Sequence, residues 1–345
     1  MKKLLLFLLL FIAVIAVIGA WLILGPATNF TQEGHDVYIR TGMNYQDVDS
    51  MLIHDKVIAH PAVFHLLASR VSYPENIKAG KYEIKRGSSL ISILKMLRNG
   101  RQTPVKLIIT KLRTRQDLAA LVGRKFECDS ACFMRFMNNT DTLKVYGLDT
   151  NTMMTVVFPN TYTYFWNTTA SRIFRKIIVA SGEYWIQKRV AEAAAHGLTP
   201  VTAYIMASIV EEETTRKTDK PLIASVYINR MAIGMRLAAD PTVKFALRRF
   251  DLRRVYSKYT EVESSYNTYR NAGLPPGPIC TPSPESLDAV LNAPATKFLY
   301  FVAKPDFSGY SNFAETYSEH LKFAKQYQLS LDEQMRIGQQ IKAAK

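Results

Sequence analysis

The sequence predicts an α+β protein made of an N-terminal transmembrane helix, a small strand–helix module and a larger mixed α+β domain. Three observations predict this. The chain opens with an uninterrupted apolar stretch, its first third repeats a strand–helix pattern, and its second half combines strong helix-start signals with a loop rich in Pro and Gly. With 345 residues, 48% of them hydrophobic and 21% charged, the chain is long enough for two or three compact units.

Residues 4–24 form the apolar stretch, which follows Lys2 and Lys3 and contains no charge. As a helix, at about 1.5 Å per residue, it would be about 31 Å long, enough to cross a membrane. A cleaved signal peptide is the alternative, but its apolar core is shorter and ends in small residues, whereas this stretch ends in bulky ones. The sequence predicts an uncleaved single-pass anchor, with residues 1–3 as a cytoplasmic tail and the rest of the chain outside the cytoplasm.

The net charge of the chain is +15, from 44 Lys and Arg against 29 Asp and Glu. In a cytosolic protein this charge would indicate a nucleic-acid partner. Behind a membrane anchor no nucleic acid is expected, and an anionic membrane face or an anionic cell-wall polymer is the favoured partner. General solubility is the simpler explanation of the same charge.

No metal site and no cofactor are predicted. The six His are scattered and form no HExxH motif, and the three Cys do not form a ligand set. Cys128 and Cys132 are close enough along the chain to pair in an oxidising compartment, which leaves Cys280 over. The sequence leaves that pairing open.

The strand–helix module covers residues 30–125. Its pattern occurs at 37–58, again at 82–100 and, less regularly, at 105–123. Each of these strand–helix repeats is predicted to contain a short alternating strand, a turn and an amphipathic helix. Small units of this kind favour binding over catalysis.

Residues 126–198 are predicted to connect the module to the larger domain. The stretch 124–155 is polar and indicates irregular structure, and a basic amphipathic helix is predicted near 170–195. Between them lies FPNTYTYFWNTT (158–169). Its aromatic side chains would stack on sugars if they were exposed, but packing beneath a neighbouring helix is more common and is the prediction here.

Residues 199–335 form the larger domain. Its predicted elements are a helix opened by Thr199 and Pro200, a helix over roughly 219–233, a helix opened by Asp240 and Pro241, a Pro- and Gly-rich loop at 263–286, a strand at 297–304 and a closing helix from about 314. In this interpretation Thr199 and Asp240 are helix N-caps.

The first of these helices ends in Glu211, Glu212 and Glu213. On a helix, each side chain neighbours those three and four positions earlier, so Glu213 continues an apolar stripe through Ile209 and Val210. An apolar environment raises the pKa of a carboxyl group, and a carboxyl that stays protonated near neutrality can act as a general acid. The alternative, a solvated helix end, is the more common explanation of such a run.

Four motifs, in this order, resemble the YceG-like endolytic murein transglycosylases: ASIVEEET (207–214), ASVYINRMAIGMRLAADPTV (224–243), YNTYRNAGLPPGPI (266–279) and LYFVAK (299–304). The resemblance implies a LysM-like module over 30–125 and a catalytic domain over 199–335. It also implies a single-pass protein of the cell inner membrane whose catalytic domain is periplasmic.

The resemblance further implies that Glu213 is the catalytic residue. The other candidates are supporting or substrate-binding residues, namely Glu211, Asn229, Arg230, Asp240, Thr242, Tyr266, Asn267, Thr268 and Tyr269. Arg230 could instead complement a helix dipole, and the Tyr side chains could pack beneath a loop. The chain departs from the family pattern at Ala238, where Gln is usual, near Ser311, where a His is common, and after Ile279, where Asn-Pro is usual.

The implied reaction cleaves MurNAc-β-1,4-GlcNAc bonds inside peptidoglycan glycan strands and leaves 1,6-anhydro-MurNAc ends. The implied partners are these strands, the membrane and, as candidates, peptidoglycan synthases. Two other functions are weighed. A muramidase would use Asp240 as a second carboxylate facing Glu213, and a non-catalytic scaffold would bind the cell wall without cleaving it.

Overall fold

The structure, a computed structural model, describes residues 2–252 and 254–343, with their side chains up to residue 337. It is a mixed α+β fold, as predicted. In the described part, the helices are α1 (Lys2–Leu24), α2 (Tyr45–His54), α3 (Pro61–Arg70), α4 (Leu90–Asn99), α5 (Arg115–Gly123), α6 (Ser130–Asn138), α7 (Thr140–Lys144), α8 (Ala170–Tyr184), α9 (Gln187–Ala195), α10 (Pro200–Glu213), α11 (Asp219–Ala232), α12 (Asp240–Ala246), α13 (Pro284–Leu291) and α14 (Tyr317–Ala343).

The strands are β1 (Gly34–Ile39), β2 (Gly80–Lys85), β3 (Val105–Ile109), β4 (Asn160–Tyr164), β5 (Tyr300–Ala303) and β6 (Ser311–Ala314). They form two-stranded sheets, which pair β1 with β2, β3 with β4, and β5 with β6. Short 3₁₀ helices lie at Met153–Val156 and Ser257–Tyr259. Helices therefore provide most of the packing, and each sheet is small.

Helix α1 has the length and composition of a membrane span, and none of its side chains is buried in the protein. This agrees with the predicted anchor. A helix of apolar side chains that are mostly exposed is unstable in water and stable in lipid, where its backbone hydrogen bonds are satisfied internally.

The chain divides into two compact units. The first unit contains the chain up to Leu107, together with Leu121–Asp129 and Thr163–Ala170. Strands β1 and β2 are antiparallel in it, from Gly34 opposite Lys85 to Ile39 opposite Gly80. Their inward side chains pack with the apolar face of α4, and the buried residues are Val37, Ile39, Tyr82, Ile84, Leu90, Ile93, Leu94 and Leu97. The strand–helix repeats predicted at 37–58 and 82–100 are confirmed: the first contains β1 and α2, and the second contains β2 and α4.

The second unit contains Ile108–Ala120, Ser130–Tyr162 and the chain from Ser171 onward. Its core surrounds α10, in which every residue from Ala203 to Val210 is buried. Helices α11 and α13 pack on α10, and β5 pairs antiparallel with β6 beside them. A helix that is apolar on all sides belongs in such a position.

Two predictions about the middle of the chain are wrong. The stretch 124–155, predicted as irregular, contains α6 and α7, because its polar run includes Asn139, whose side chain caps α7 while Phe133 and Leu143 are buried. The single helix predicted near 170–195 is two helices, α8 and α9, because Ile186 has extended backbone and begins the second one.

The aromatic stretch 158–169 is packed into the fold, as predicted. Phe158, Tyr162, Tyr164 and Trp166 are buried, and only Phe165 among its aromatic residues is largely exposed. Residues 160–164 form strand β4, whose alternating pattern places every second side chain inside.

Candidate active site

Helix α10 positions the three acids at its C-terminal end. Thr199 is the N-cap and forms a capping box with Thr202, and Pro200 occupies the first turn, as predicted. The helix continues through its buried apolar residues to Glu213 and ends at Thr214, whose backbone is extended. Successive residues of a helix point about 100° apart, so the three carboxylates face different surroundings.

Glu211 lies in a polar contact between helices. Its Oε2 accepts hydrogen bonds from the Ser283 and Ser286 hydroxyls at 2.6 and 2.5 Å, and Lys220 Nζ is 3.4 Å away. Burial acts to raise the pKa of Glu211, but these hydrogen bonds and the Lys220 charge together lower it. Glu211 is therefore an ionised carboxylate that joins α10 to α11 and α13.

Glu212 forms ion pairs on another side of the helix. Its carboxylate is 2.5 Å from Lys111 Nζ and 3.2 Å from an Arg113 guanidinium nitrogen. Both of its oxygens are thus occupied by cations of the protein.

Glu213 faces a cleft of about 500 Å³. Its Oε1 accepts a hydrogen bond of 2.6 Å from the Tyr227 hydroxyl on α11. Burial raises the pKa of Glu213 to about 7, and the nearby Asp240 adds to this, while the Tyr227 hydrogen bond and the Lys244 and Arg230 charges oppose it. Glu213 can therefore exist both as acid and as carboxylate near neutral pH.

The walls of this cleft combine charged, aromatic and apolar side chains. They are Glu213, Tyr227, Arg230, Met235, Leu237, Ala238, Asp240, Tyr269, Tyr300, Phe301, Tyr317 and His320. Of the candidates from the sequence, the structure brings Glu213, Arg230, Asp240 and Tyr269 together here. A cleft with aromatic walls and a few acidic and basic groups suits a ligand with both apolar faces and hydroxyls.

Asp240 is not the N-cap of α12, which corrects the prediction. The extended cap position belongs to Ala239, and Asp240 is the first helical residue. Its Oδ1 accepts a hydrogen bond of 2.6 Å from the Tyr269 hydroxyl. The carboxylate thus points to the cleft and not back to the backbone of its own helix.

Thr242 and Thr268 form a buried network behind the cleft wall. Their hydroxyl oxygens are 2.8 Å apart, Thr242 donates to the Ala239 carbonyl at 2.6 Å, and the Ala239 amide donates to Thr268 at 3.0 Å. Both Thr side chains are buried. They hold the Ala238–Asp240 segment in place and do not line the cleft.

Ala238 has a left-handed backbone, with φ at 49°. Its amide donates to the Thr268 carbonyl at 3.1 Å. A residue with a Cβ is unfavourable in this conformation, so the network around Thr268 holds a strained segment beside Asp240. Ala238 itself lines the cleft, so the departure from the family pattern lies within the site.

Asn229 and Arg230 tie α11 to the segment before β5. The Asn229 amide donates to the Thr296 and Phe298 carbonyls at 2.9 and 3.0 Å. The Arg230 guanidinium donates to the Leu299 carbonyl at 2.7 Å and also to the Leu237 carbonyl. Arg230 still contributes positive charge to the cleft, whereas Asn229 serves the fold.

Tyr266 and Asn267 lie away from the cleft. The Asn267 amide is buried and donates to the Thr260 and Val262 carbonyls at 2.9 and 2.8 Å. The Tyr266 ring packs on Phe245, with ring centroids 4.7 Å apart, and lines a different pocket. Of the three candidates Tyr266, Asn267 and Tyr269, only Tyr269 lines the cleft.

The Pro- and Gly-rich loop depends on close backbone approach at Gly277. A Cβ built on Gly277 would be 2.3 Å from the Asn151 carbonyl oxygen and 2.8 Å from the Tyr266 hydroxyl. A side chain there would displace backbone. Gly277 therefore helps to set the shape of this loop.

Sequence reasoning missed several cleft residues. Tyr227 lies within the motif at 224–243, but its distance along the chain from Glu213 gives no sign that the two side chains meet. Tyr317 and His320 are three apart on a helix, which places them on one face and could have indicated a shared role. Tyr300 stacks on His320 with ring centroids 5.3 Å apart.

Within the described part of the chain, no three His, Cys, Asp or Glu side chains group closely enough to hold a metal ion. The side chains of the cleft supply one carboxyl with a pKa of about 7, a second carboxyl, a guanidinium and several aromatic rings.

Comparisons with known proteins give the same family along most of the chain. The YceG-like family model matches residues 37–326. The endolytic murein transglycosylase of Bacillus subtilis (strain 168) is 27% identical over 326 residues, which cover 90% of this chain and 89% of that protein. The endolytic murein transglycosylase of Streptococcus pneumoniae serotype 2 is 25% identical over 77% of this chain, which spans only 54% of that protein.

A solved structure is also similar. The crystal structure of a YceG-like protein from Listeria monocytogenes matches with a TM-score of 0.54 and 30% identity, over 85% of this chain and 99% of that one. Because the family model matches well over half of the chain, this protein belongs to the YceG-like family.

Proposed function

We propose that this protein is an endolytic peptidoglycan lytic transglycosylase, which cleaves MurNAc-β-1,4-GlcNAc bonds inside nascent glycan strands. It belongs to the YceG-like family, and relatives from two bacteria are named endolytic murein transglycosylases. The protein is accordingly an enzyme of the lyase class, and its substrate is peptidoglycan.

The observation that carries the proposal is the environment of Glu213. The residue ends an apolar helix, faces a cleft, and has a pKa raised to about 7 by burial. A general acid is most effective when its pKa is close to the working pH. Glu211 and Glu212 are paired with cations of the protein, which leaves Glu213 as the acid of this run that faces the cleft.

The proposed reaction uses Glu213 twice. The protonated carboxyl donates its proton to the glycosidic oxygen while the bond from that oxygen to C1 of MurNAc breaks. The Glu213 carboxylate then accepts the proton of the MurNAc 6-hydroxyl as that oxygen bonds to C1. The products are a GlcNAc 4-hydroxyl and a 1,6-anhydro-MurNAc end, no water is consumed, and Glu213 regains its proton.

The rest of the cleft supports this chemistry. The Tyr227 hydroxyl donates to the Glu213 carboxylate and so stabilises the form that acts as base. Tyr300, Phe301 and Tyr317 supply aromatic surface to the cleft, which suits contact with pyranose rings. The Lys244 and Arg230 charges favour the ionised form of Glu213, which must form during turnover.

The remaining parts of the chain are assigned roles in the same proposal. The anchor over 4–24 holds the enzyme in the inner membrane, the LysM-like module over 30–125 binds glycan, and 126–198 connects it to the catalytic domain over 199–335. The catalytic domain works outside the cytoplasm on strands close to the membrane. Peptidoglycan synthases are the candidate protein partners.

A two-carboxylate muramidase is the second candidate, because Asp240 lines the same cleft as Glu213. In that reaction one carboxyl acts as acid and the other activates water or attacks C1. Its products would be reducing ends.

The test compares Glu213→Gln with Glu212→Gln, its neighbour on the same helix. We expect Glu213→Gln to lower strand cleavage at least about 100-fold, since a general acid contributes that much or more. Glu212→Gln should retain most activity once its folded fraction is measured by circular dichroism. Full activity in Glu213→Gln, or equal loss in both variants, would remove Glu213 from this role.

A further inference from the structure

A second pocket of the second unit contains three arginines. It has a volume of about 140 Å³ and is lined by Arg113, Arg115 and Arg248 together with Phe245 and Tyr266, among others. None of the described residues that line it is acidic. Arg115 and Arg248 act electrostatically on Tyr266 in the pocket wall, with Asp149 opposing them, so the pocket has an excess of positive charge.

The three guanidinium groups are not equally neutralised. Arg113 pairs with Glu212 at 3.2 Å, and Arg115 donates to the neutral Asn138 side-chain oxygen at 2.7 Å. Arg248 lies over the Phe245 ring, 4.8 Å from its centroid. Among the described residues, no carboxylate is within ion-pair distance of Arg115 or Arg248. A stacked guanidinium keeps its N–H edge available for an oxyanion.

Arg248 occupies a backbone position that disfavours any side chain. Its φ is 55°, just after the end of α12, and its amide donates to the Phe245 carbonyl at 3.1 Å. Glycine is the usual residue at this left-handed position. The chain has Arg at this position, so its backbone is strained beside the pocket.

The pocket is within reach of a substrate bound in the cleft. Helix α12 has Asp240 in the cleft at its start and Phe245 in the pocket near its end. At about 1.5 Å per residue, α12 rises about 9 Å from Asp240 to Ala246, and Arg248 lies two residues beyond its end. An extended peptide of four residues spans about 13 Å, and peptidoglycan carries stem peptides of this size that end in a carboxylate.

We propose that the pocket of Arg113, Arg115 and Arg248 binds a carboxylate of the stem peptide attached to the glycan strand in the cleft. This inference rests on the proposed function, because it needs a peptidoglycan strand as the ligand. Arg115 and Arg248 supply the uncompensated charge, and Phe245 and Tyr266 form the apolar wall. The pocket then distinguishes strands that carry stem peptides from strands that do not.

The test measures binding without cleavage. The full chain with Glu213→Gln is titrated by calorimetry with strand fragments that carry stem peptides and with the same fragments after an amidase has removed them. Arg248→Gly is added as the main variant, because it removes the side chain and relieves the backbone strain, so that it should fold at least as well. Arg175→Gln, an exposed change on α8, is the matched control.

We expect Arg248→Gly to weaken binding of peptide-bearing fragments about tenfold, as loss of a charge-assisted hydrogen bond does. The affinity of Arg248→Gly for peptide-free fragments should not change. The affinity of Arg175→Gln should not change for either kind of fragment. Unchanged binding in Arg248→Gly would overturn the proposal, and so would equal weakening for both fragments.

A further arm identifies the source of the oxyanion. Peptide-free fragments that end in a lipid pyrophosphate are titrated in the same way. Weakening by Arg248→Gly confined to these fragments would assign the pocket to a phosphate and overturn the stem-peptide proposal. If the unsubstituted enzyme fails to cleave any strand, the proposed function fails, but the binding comparison still decides what the pocket holds.

Discussion

At the scale of single residues, three adjacent carboxylates differ because a helix turns about 100° per residue. Glu211 meets serine hydroxyls and Lys220, Glu212 meets Lys111 and Arg113, and Glu213 meets the cleft. Hydrogen bonds and cations stabilise the charged form of Glu211, while burial destabilises the charged form of Glu213. Identical side chains thus acquire opposite pKa shifts.

The pKa of Glu213 predicts a pH dependence. Because the acid form starts the reaction, kcat/KM should fall as the pH rises through about 7. Tyr227→Phe removes a hydrogen bond to the charged form, so the pKa should rise and the falling limb should move up by about one pH unit. The measurement is a pH profile of strand cleavage.

Asp240→Asn should move the falling limb of the pH profile in the opposite direction. The Asp240 charge raises the pKa of Glu213, so its removal should move the same limb to lower pH. A general disruption of the cleft structure would move the falling limb in the same direction in Tyr227→Phe and Asp240→Asn. Shifts in the same direction would therefore contradict the assignment of the limb to Glu213.

The same pKa predicts a stability effect. The folded-state pKa of about 7 lies above the ordinary value of 4.5, so between these values the folded protein holds a proton that the unfolded chain has lost. Stability is then lost as the pH rises through this window, by up to about 3 kcal/mol before discounting for solvent in the cleft. Glu213→Gln should unfold at a higher temperature than wild type at pH about 8 and at a similar temperature at pH about 4.

Thermal unfolding of the full chain in detergent checks this comparison at both pH values. A Glu213→Gln variant that is less stable at the higher pH would show that the carboxylate is stabilised by the fold. In that case Glu213 would not be a poised acid.

At the scale of elements, Glu211 connects three helices. Ser283 is the N-cap of α13 and donates to Glu211, and Lys220 of α11, with a side chain only 7% exposed, lies 3.4 Å from the same oxygen. Glu211→Ala would leave a buried ammonium and two hydroxyls with fewer partners. We expect a loss of about 2–3 kcal/mol in the free energy of unfolding, with kcat per folded molecule unchanged.

Glu285→Ala is the matched control for Glu211→Ala, since Glu285 also pairs with Lys220 at 3.4 Å but is 39% exposed. An exposed pair contributes about 1 kcal/mol or less. Denaturant titration compares the two variants. Loss of catalysis in Glu211→Ala without loss of stability would place Glu211 in the reaction instead of the fold.

The sequence predicted those elements that rest on local signals. Examples are the start of α10 at Thr199 and Pro200, the strand–helix repeats and the continuous apolar anchor. These could be predicted because capping and periodicity act within a few residues. It failed at 124–155, where polar composition hid α6 and α7, and at Asp240, where a tertiary hydrogen bond from Tyr269 replaces local capping.

The site could be predicted only in part for the same reason. The apolar neighbours three and four residues earlier favoured Glu213 among the three acids, while a solvated helix end stayed the more common explanation of the run. Tyr227 and His320 come to the cleft from α11 and α14, and no local pattern gives the distance between elements so far apart in sequence.

At the scale of the whole molecule, the chain combines three features: an apolar helix long enough to span a membrane, a net positive charge and a cleft of about 500 Å³. In the proposed function, a net charge of +15 would attract a membrane-anchored enzyme to anionic membranes and anionic wall polymers. The proposed anchor would then restrict the proposed catalytic domain to strands near the membrane surface.

The most direct test of the central claim is mass spectrometry of strands digested by the purified enzyme in water labelled with heavy oxygen. The account predicts internal fragments that end in 1,6-anhydro-MurNAc and contain no label, because the 6-hydroxyl and not water attacks C1. Reducing ends that carry the label would contradict it and would assign the second role in the cleft to Asp240.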